Sequence, residues 1–564
     1  MNLPLWIAFA SIHILLFILI KGFSWLLKEK DPLQHKFLPS PPKSPLIGHL
    51  NLLKLPLHRS LHKLAQAYGP IFYLDMGCTP TIVVSSAVWA KEFLHTNERD
   101  FADRPQGEAS KRLFYDNKTL VTMEHGPQWA ELRRFYKERL LSLKQIKKFK
   151  GMRREEVAMA IVELIGNKSD PVEVRKVGFH VVGNMMTRML LNRRLFGDGN
   201  ASSQFGDMVK EMAVLFGAPI ISDLFPCLAW LDLGGYKRRM CHLSHLLDTF
   251  LEDVLAEHFE KTCIINSNKT SLTNHNLVST HFPHSFSHSD TDNDSKDAAD
   301  EGKPEDFFDQ LLEVCKEHGV MKGRDFVKGI ILDLLSAGTE TTTTTIEWAM
   351  AELLRNPLSM NKLQAELARV ESHCISSDRG KDCQAEADQA TSYIHSVFGK
   401  AFIEDDIIIK LPYLQAVVKE TLRLHPPLPI VVRKMSKHLT RGKEVGAFKL
   451  PPRTKLLVNV WALGHDQATW GEDAEAFNPE RFFNHNKLSV HQGQCYDFLP
   501  FGYGQRGCPG TNLGLSMVGL LLANFVYFFD WKLPIGFKLD LAEAASRTAP
   551  MSMPLQAIPF PREL

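Results

Sequence analysis

The stretch Phe498-Leu-Pro-Phe-Gly-Tyr-Gly-Gln-Arg-Gly-Cys-Pro-Gly510 is a glycine-rich loop that presents a single cysteine near the C-terminal end of the chain. Its glycines permit backbone angles that other residues resist, so the loop can turn tightly. Pro509 suits the first position of a helix, and an apolar run from Leu513 to Phe529 follows. Cys508 therefore falls at a predicted helix N-terminus, where free N–H groups and the helix dipole favour a thiolate.

A cation lies two residues before this cysteine. The guanidinium of Arg506 is suited to holding an anionic group of a ligand. A thiolate among backbone amides, with an anion-binding arginine beside it, is typical of an axial haem ligand. The alternative is a buried structural cysteine in a glycine-rich loop, which gives no reason for the other residues of the stretch.

The spacing Phe501-x-x-Gly504-x-Arg506-x-Cys508-x-Gly510 resembles the haem-binding signature of the cytochrome P-450 monooxygenases. The resemblance covers nearly the whole chain, because further motifs like those of the family occur upstream in the expected order. It implies that Cys508 is the thiolate ligand of the iron of haem b (iron protoporphyrin IX), that Phe501 packs near the sulfur and that Arg506 pairs with a haem propionate. It also implies a mainly α fold with small β-sheets, an α+β arrangement.

The composition limits the classes of partner. Lys and Arg number 66 against 64 Asp and Glu, a formal net charge of +2, so the chain has no global cationic field and no nucleic-acid partner is expected. The nine cysteines lack paired spacing, which predicts reduced thiols facing the cytosol. No shift in composition divides the chain, and we expect one haem-thiolate catalytic domain over residues 51–564.

The N-terminal segment is apolar. Leu3 to Ile20 is close to the roughly 20 residues that span hydrocarbon as a helix. Basic residues follow this run and none precedes it, which argues against a cleaved signal peptide. We therefore expect residues 1–30 to be a membrane anchor in contact with lipid, single-pass in the endoplasmic reticulum membrane, with the catalytic domain in the cytosol. The proline-rich residues 31–50 are expected to form a semi-rigid hinge.

Two polar segments are predicted to be disordered insertions. Residues 264–304 are rich in Ser, Thr, Asn and Asp and show little periodicity. Residues from about 371 to 393 are similar in character. Histidines in the first segment lack the cysteine or carboxylate pattern of a metal site, so no metal is predicted there.

A helix with a basic continuation precedes these insertions. Trp129 and Arg133 are spaced i, i+4 and share a helical face, and the resemblance implies that they reach the haem propionates. Between Arg133 and Arg154, ten basic residues accompany one acid, Glu138, and such a local excess can steer an acidic partner. The alternative is a solvated helical face. We favour a docking surface for the flavoprotein NADPH–cytochrome P-450 reductase.

One long helix is predicted from Asp325 to Asn356. Its middle, Ala337-Gly-Thr-Glu-Thr-Thr342, is poor helix material, and threonine hydroxyls can bond back to the preceding turn and bend a helix. Such a distortion opens a groove for a small ligand. Glu340 supplies a carboxylate and Thr341 a hydroxyl that can relay protons, and the resemblance implies that this pair delivers protons to oxygen. The alternative is a threonine-rich surface helix.

Glu420 and Arg423 are predicted to meet on one helical face, because they are spaced i, i+3. The resemblance implies that they form a buried network with Arg481, which holds the scaffold on the haem side. These three residues are therefore expected to be structural.

The substrate pocket is expected to be apolar with few charges, because the segments that the resemblance places there, such as Ile430-Val-Val432, are mostly apolar. Leu424-His-Pro-Pro427 resembles the plant microsomal branch of the family. The predicted reaction inserts one oxygen atom of O2 into a lipophilic small molecule, with electrons from NADPH. Candidate substrates are plant phenolics, flavonoids and fatty acids.

Two other functions stay open at this point. The first is a haem-thiolate isomerase or dehydratase that acts on peroxides without a reductase. The second is a non-catalytic, membrane-tethered haem protein. The Glu340–Thr341 pair counts against the first, since rearrangement of a peroxide needs no proton relay.

Overall fold

The computed structural model describes residues 38–167, 170–197, 200–232, 234–274, 311, 323–375, 389–484 and 495–562. The predicted anchor, residues 1–30, lies outside the described residues. So do residues 31–37 of the predicted hinge, 275–304 of the first predicted insertion and 376–388 of the second.

Helices make up most of the described chain, and the predicted fold class, mainly α with small sheets, is confirmed. The helices, in chain order, are α1 (Leu57–Tyr68), α2 (Ala87–Lys91), α3 (Glu108–Leu113), α4 (Pro127–Phe135), α5 (Leu143–Lys148), α6 (Lys150–Gly166), α7 (Val174–Leu191), α8 (Asn200–Gly217), α9 (Ile221–Leu224), α10 (Tyr236–Asn274), α11 (Arg324–Arg355), α12 (Pro357–Ile375), α13 (Gln389–Phe398), α14 (Asp405–Ile408), α15 (Pro412–Leu424), α16 (Val460–Gly464), α17 (Gln467–Trp470), α18 (Arg481–Asn484) and α19 (Thr511–Phe528). Proline stands at the start of α4 and α15, where its missing N–H removes no helical hydrogen bond.

Three small sheets accompany the helices. The strands are β1 (Ile71–Met76), β2 (Thr79–Val84), β3 (Val172–Glu173), β4 (Ile430–Lys434), β5 (Lys443–Val445), β6 (Phe448–Leu450), β7 (Lys455–Asn459), β8 (Phe529–Lys532) and β9 (Gln556–Pro561). The largest sheet has the order β1-β2-β7-β4, with β2 and β7 parallel and the other neighbours antiparallel. The others are β3-β9-β8 and the hairpin β5-β6.

The long helix α11 runs through the core, and it packs against α7, α15 and α19. Gly338 in its middle permits a close crossing, because a Cβ there would lie 2.8 Å from Cε of Met186 on α7. A larger side chain at position 338 would have to displace the flexible end of the Met186 side chain.

Among the described residues, one helix, α19, is long and apolar enough to cross a membrane by length and composition. Most of it is buried inside the protein, and Leu521, Leu522 and Phe525 have no exposed surface. An apolar helix that is buried on nearly all sides is a core helix. It carries the cysteine loop on its N-terminal end.

The ends of the two predicted insertions are helical. Residues 264–274 continue α10, residues 371–375 continue α12, and residues 389–393 begin α13. Extending an existing helix adds one hydrogen bond for each residue fixed, so polar residues can continue a helix that they would not start.

Candidate functional site

A cavity of about 270 Å³ lies where the cysteine loop, the middle of α11, α4 and β4 meet. Its wall includes Cys508 from the loop and Thr341 from α11. The two side chains come from segments far apart in the chain, and the fold places them on one cavity.

The loop that carries Cys508 is held in a tight turn. The backbone N–H of Cys508 donates to the carbonyl of Phe501 at 2.8 Å, and Gly507 N–H donates to Gly504 at 3.0 Å. Gly504 has φ +67°, and a Cβ there would collide with the carboxylate of Glu98. The glycine spacing of the signature therefore follows from the backbone angle and from a close neighbour.

Cys508 has accessible surface and lines the cavity, and the surrounding protein atoms nevertheless desolvate its thiol. This burial raises the pKa of the Cys508 thiol, while the Gly510 N–H, the Arg133 charge and the Thr511 hydroxyl lower it. Burial thus favours the neutral thiol, and a cation at the sulfur would be needed to hold the thiolate. A bound metal ion supplies such a charge.

Five arginines line the cavity, and four of them, Arg104, Arg133, Arg433 and Arg506, are considered together here. Arg133 donates to the carbonyl of Gly507, the residue before the cysteine. Arg104 donates to Val432 O, and its Nε has no partner within the described chain. The Nε of Arg133 is also without one.

Burial lowers the pKa of each of these arginines. The pKa falls to about 10 for Arg104 and to about 9 for Arg506, and it falls well below the usual value for Arg433. The charges of the neighbouring arginines lower the pKa of Arg433 and Arg506 further. A cluster of buried cations that repel one another requires anions in the space they surround.

The residues present fit a haem. Two propionate groups would supply the anions that the four arginines lack. In the part of the chain that the structure describes, no group of three or more His, Cys, Asp or Glu residues could hold a metal ion. A metal at Cys508 would therefore take its other ligands from a prosthetic group, as the iron of a haem does.

Trp129 and Arg506 are placed together, although their polar atoms point to the backbone. Arg506 donates to the carbonyls of Ala102, Leu120 and Met123, and its guanidinium stacks 4.1 Å from the centroid of the Trp129 ring. The indole N–H of Trp129 donates to Leu120 at 3.2 Å. Trp129 was expected to reach a propionate, and here its single donor has a backbone acceptor instead.

Thr341 lines the cavity, and its hydroxyl donates to the carbonyl of Ala337 at 2.6 Å. Glu340 is buried but does not line the cavity. Its carboxylate forms a salt bridge with Arg175 of α7 and accepts a hydrogen bond from Thr548 at 3.4 Å. The predicted acid and alcohol are neighbours in sequence, and only the alcohol faces the cavity.

Glu420, Arg423 and Arg481 form one buried network. The Glu420 carboxylate accepts from Arg423 at 2.7 and 2.8 Å, from Arg481 at 2.9 Å and from the N–H of Asn478 at 2.8 Å. Arg423 also donates to the backbone carbonyls of Gly464, Ala474 and Ala476. The network joins α15 to the segment before the cysteine loop.

Most residues that line the cavity are apolar, as expected, but the cavity carries more charges than expected. Besides the four arginines, Asp333 and Arg547 line it. The sequence analysis missed Arg104, Arg433, Asp333 and Arg547 as site residues. For Arg433 the available signal was its position directly after Ile430-Val-Val432, a run that the resemblance already placed at the substrate pocket.

Comparisons with known proteins indicate the same family that the sequence resembles. The family model described as Cytochrome P450 matches residues 38–544. The chain is 33% identical over 564 residues to Cytochrome P450 736A117 of Prunus mume, covering 98% of this chain and 96% of that protein. It is 34% identical to Amorpha-4,11-diene 12-monooxygenase of Artemisia annua (93% of this chain, 92% of that protein). It is also 34% identical to Germacrene A hydroxylase of Helianthus annuus, with 93% of each chain covered.

Proposed function

Because the chain belongs to the cytochrome P450 family, whose cofactor is haem iron, we propose that it hydroxylates a lipophilic small molecule with O2 and electrons from NADPH. In the net reaction R–H, O2, two electrons and two protons give R–OH and water. The observation that carries the proposal is that the Cys508 sulfur and the Thr341 hydroxyl line the same cavity as the four arginines. A metal ligand, an anion-binding cluster and a proton donor are the groups that this reaction needs.

We propose haem b as the cofactor. Cys508 would hold the iron, and Arg104, Arg133, Arg433 and Arg506 would bind the two propionates. When bound, a thiolate-ligated haem iron supplies the centre at which O2 is reduced and its O–O bond is broken. Phe501 also lines the cavity, and its carbonyl fixes the backbone of Cys508.

The protons are proposed to pass through Thr341 and Glu340. The Thr341 hydroxyl is at the cavity wall, where it can hold a proton next to oxygen. Glu340 is bound to Arg175, a part-exposed side chain that leads toward solvent. In this role the Glu340 carboxylate takes a proton at the Arg175 side and turns toward Thr341.

Replacing Thr341 by alanine is expected to uncouple NADPH consumption from hydroxylation. Proton transfer by a positioned side chain contributes about 10²–10⁴-fold, so we expect product formed per NADPH to fall at least about 10-fold. The missing electrons should appear as hydrogen peroxide. Parallel assays of NADPH, product and peroxide measure this ratio.

Thr339→Ala is the matched control, because Thr339 is on the same helix, is fully buried and does not line the cavity. Its coupling should equal that of the wild type. Unchanged coupling in Thr341→Ala would remove Thr341 from the proposed proton path.

Electrons are proposed to arrive from NADPH–cytochrome P-450 reductase at a basic surface. Six of the ten basic residues of this stretch are exposed and form no ion pair with described residues, and they are Arg134, Lys137, Arg139, Lys144, Lys147 and Lys148. The stretch begins beside Arg133, which bonds to the residue preceding Cys508. An acidic protein bound there would lie close to the proposed haem.

Reversing two of these charges should weaken reductase docking. In Lys147→Glu/Lys148→Glu, electrostatic steering by the basic surface is reduced, and we expect the reductase-supported rate at low salt to fall about 10-fold. The dependence of that rate on ionic strength should become shallower. Titration with purified reductase measures both. Lys449→Glu, an exposed lysine on β6, is the control.

An equal loss in Lys449→Glu would show that net charge matters rather than this surface. An unchanged rate and salt dependence in the double variant would contradict the docking proposal. Reduction by dithionite checks that each variant still holds its haem.

The substrate is proposed to be a lipophilic small molecule. Plant phenolics, flavonoids and fatty acids remain the candidates from the sequence, and the names of the relatives add germacrene A and amorpha-4,11-diene. The test is a substrate-binding spectral screen of these classes, followed by turnover with reductase and NADPH. Turnover that needs both supports the monooxygenase, whereas isomerisation of a peroxide without them would support the isomerase or dehydratase.

We also propose that residues 1–30 anchor the chain in the endoplasmic reticulum membrane and that residues 31–50 form a hinge. Leu38, the first described residue, packs on the cluster around the largest sheet. The chain therefore leaves the catalytic domain near that sheet. Extraction of the expressed protein with carbonate and with detergent tests the anchor.

A further inference from the structure

Arg547 is a cation on the cavity wall that the proposed haem does not explain. It precedes Thr548 in the last loop before β9. Its guanidinium lies 3.9 Å from the centroid of the Phe216 ring, at the end of α8. A Cβ at Gly217 would come within 2.8 Å of the Arg547 Cβ, so the two segments meet closely. Arg547 is thus held firmly with one face on an aromatic ring.

The guanidinium of Arg547 forms no hydrogen bond or ion pair with any residue of the described ranges. The two charged side chains that act on it are Arg104 and Asp333. Arg104 repels it, and burial together with this repulsion lowers the pKa of Arg547 to about 9, against the attraction of Asp333. The cation therefore stands without a neutralising partner in a shielded cavity.

Asp333 does not fill the role of that partner. Its Oδ2 accepts from the N–H of Val121 and from the hydroxyl of Tyr136, both at 3.3 Å. Burial raises the pKa of Asp333 to about 7, so much of it is protonated near neutral pH. The carboxylate of Asp333 accepts from the backbone at Val121, in the segment after α3. It therefore offsets the positive charge of Arg547 only in part.

Arg547 is also separate from the arginines assigned to the propionates. The charges that lower the pKa of Arg433 come from Arg104, Arg506 and Arg133, and those that lower the pKa of Arg506 come from Arg104 and Arg133. Arg547 is not among the charges that shift the pKa of Arg433 or Arg506. Its aromatic contact, Phe216, is at the end of α8, which supplies none of those four arginines, so Arg547 borders the cavity on the α8 side.

We propose that Arg547 binds a carboxylate of the substrate and that the enzyme acts on a lipophilic carboxylic acid. This inference rests on the proposed function and specifies its substrate class. A guanidinium stacked by one face keeps its N–H edge free, and that edge matches a carboxylate through two parallel hydrogen bonds. Apolar side chains such as Leu334, Leu428 and Ile430 line the remaining wall and suit a hydrocarbon body.

The test compares acids with their methyl esters, which keep the hydrocarbon and remove the charge. Purified full-length haem protein is titrated with lauric acid, cinnamic acid and farnesoic acid and with each methyl ester, and the shift of the haem absorption gives the dissociation constant. Charge-assisted hydrogen bonds predict that at least one acid binds about 10- to 100-fold more tightly than its ester.

Three variants assign the preference to Arg547. Arg547→Gln and Arg547→Met should bind acid and ester about equally, and Met keeps an unbranched side chain on Phe216. Arg547→Lys should retain part of the preference, because it keeps the charge and loses the planar fork. Arg441→Gln, at an exposed position, should behave as the wild type.

Three results would overturn the inference. The first is a wild type that prefers no acid over its ester in any pair, including the case in which none of the acids binds. The second is an acid preference that survives in Arg547→Gln and Arg547→Met. The third is a loss of haem in both variants, which would assign Arg547 to the cofactor. Failure of the proposed function would look different, because the reduced carbonyl spectrum of the wild type would then lack thiolate ligation.

Discussion

Replacing Cys508 by serine is expected to abolish hydroxylation, to the level of protein without cofactor. A serine hydroxyl is not deprotonated at neutral pH, and its oxygen does not donate electron density to iron as a thiolate does, so cleavage of the O–O bond loses its support. Among the cavity-lining residues that the structure describes, there is no histidine and no second cysteine to take its place. Product formation with reductase, NADPH and a substrate from the screen measures the loss.

Cys495→Ser is the control for this substitution. Cys495 lies before the same loop, is half-buried, and contacts Asp497 at 3.6 Å. It does not line the cavity, so its variant should keep both haem and activity. Turnover in Cys508→Ser near the wild-type rate would contradict the assignment of the iron ligand.

Replacing Glu420 by alanine is expected to destabilise the protein by about 3–5 kcal/mol, the scale for removing one partner of a buried ion pair. The carboxylate is fully buried, and its loss leaves Arg423 and Arg481 buried without their anion. Because the network joins α15 to the segment before the cysteine loop, haem should also dissociate faster. Urea denaturation and the rate of haem loss to apomyoglobin measure the two effects.

Glu472→Ala provides the matched comparison. Glu472 is exposed in the segment before the cysteine loop that the network holds. A surface substitution of this kind changes the free energy of unfolding by about 0.5 kcal/mol or less. Its denaturation midpoint and haem loss should stay at wild-type values. Similar destabilisation in both variants would mean that the buried network does not hold the scaffold.

Local sequence rules were sufficient to predict the long helix α11 and the charge pair on α15. The helix predicted over residues 325–356 is α11, Arg324–Arg355, because a long apolar run outweighs a few threonines. The charges at positions 420 and 423 meet because i, i+3 spacing fixes them on one helical face. The apolar run after the cysteine loop is α19, but this helix begins at Thr511 with Gly510 as its N-cap, so Pro509 precedes the helix instead of opening it.

These local rules could not predict contacts between segments that are far apart in the sequence. Arg104 bonds to Val432, 328 residues away, because the segment between α2 and α3 pairs with β4 through Asp103 and Lys434. Glu340 pairs with Arg175, 165 residues away, because α7 lies against α11. Neither partner has a spacing or motif that indicates it, so the orientation of Glu340 and the charge of the cavity followed only from the tertiary structure.

The same reason explains why Arg547 was missed. In the sequence it is one basic residue in a loop, and basic loop residues are usually exposed. Its function follows from the ring of Phe216 below it and from the approach of Gly217, which belong to another helix.

The central claim is that the sulfur of Cys508 binds the iron of a haem in this cavity. The most direct test is the absorption spectrum of the purified wild-type protein after reduction with dithionite under carbon monoxide. We predict the strongly red-shifted Soret band of a haem carbonyl with a thiolate ligand. A band at the position of a histidine-ligated haem carbonyl, in freshly prepared protein that has not been denatured, would contradict the account.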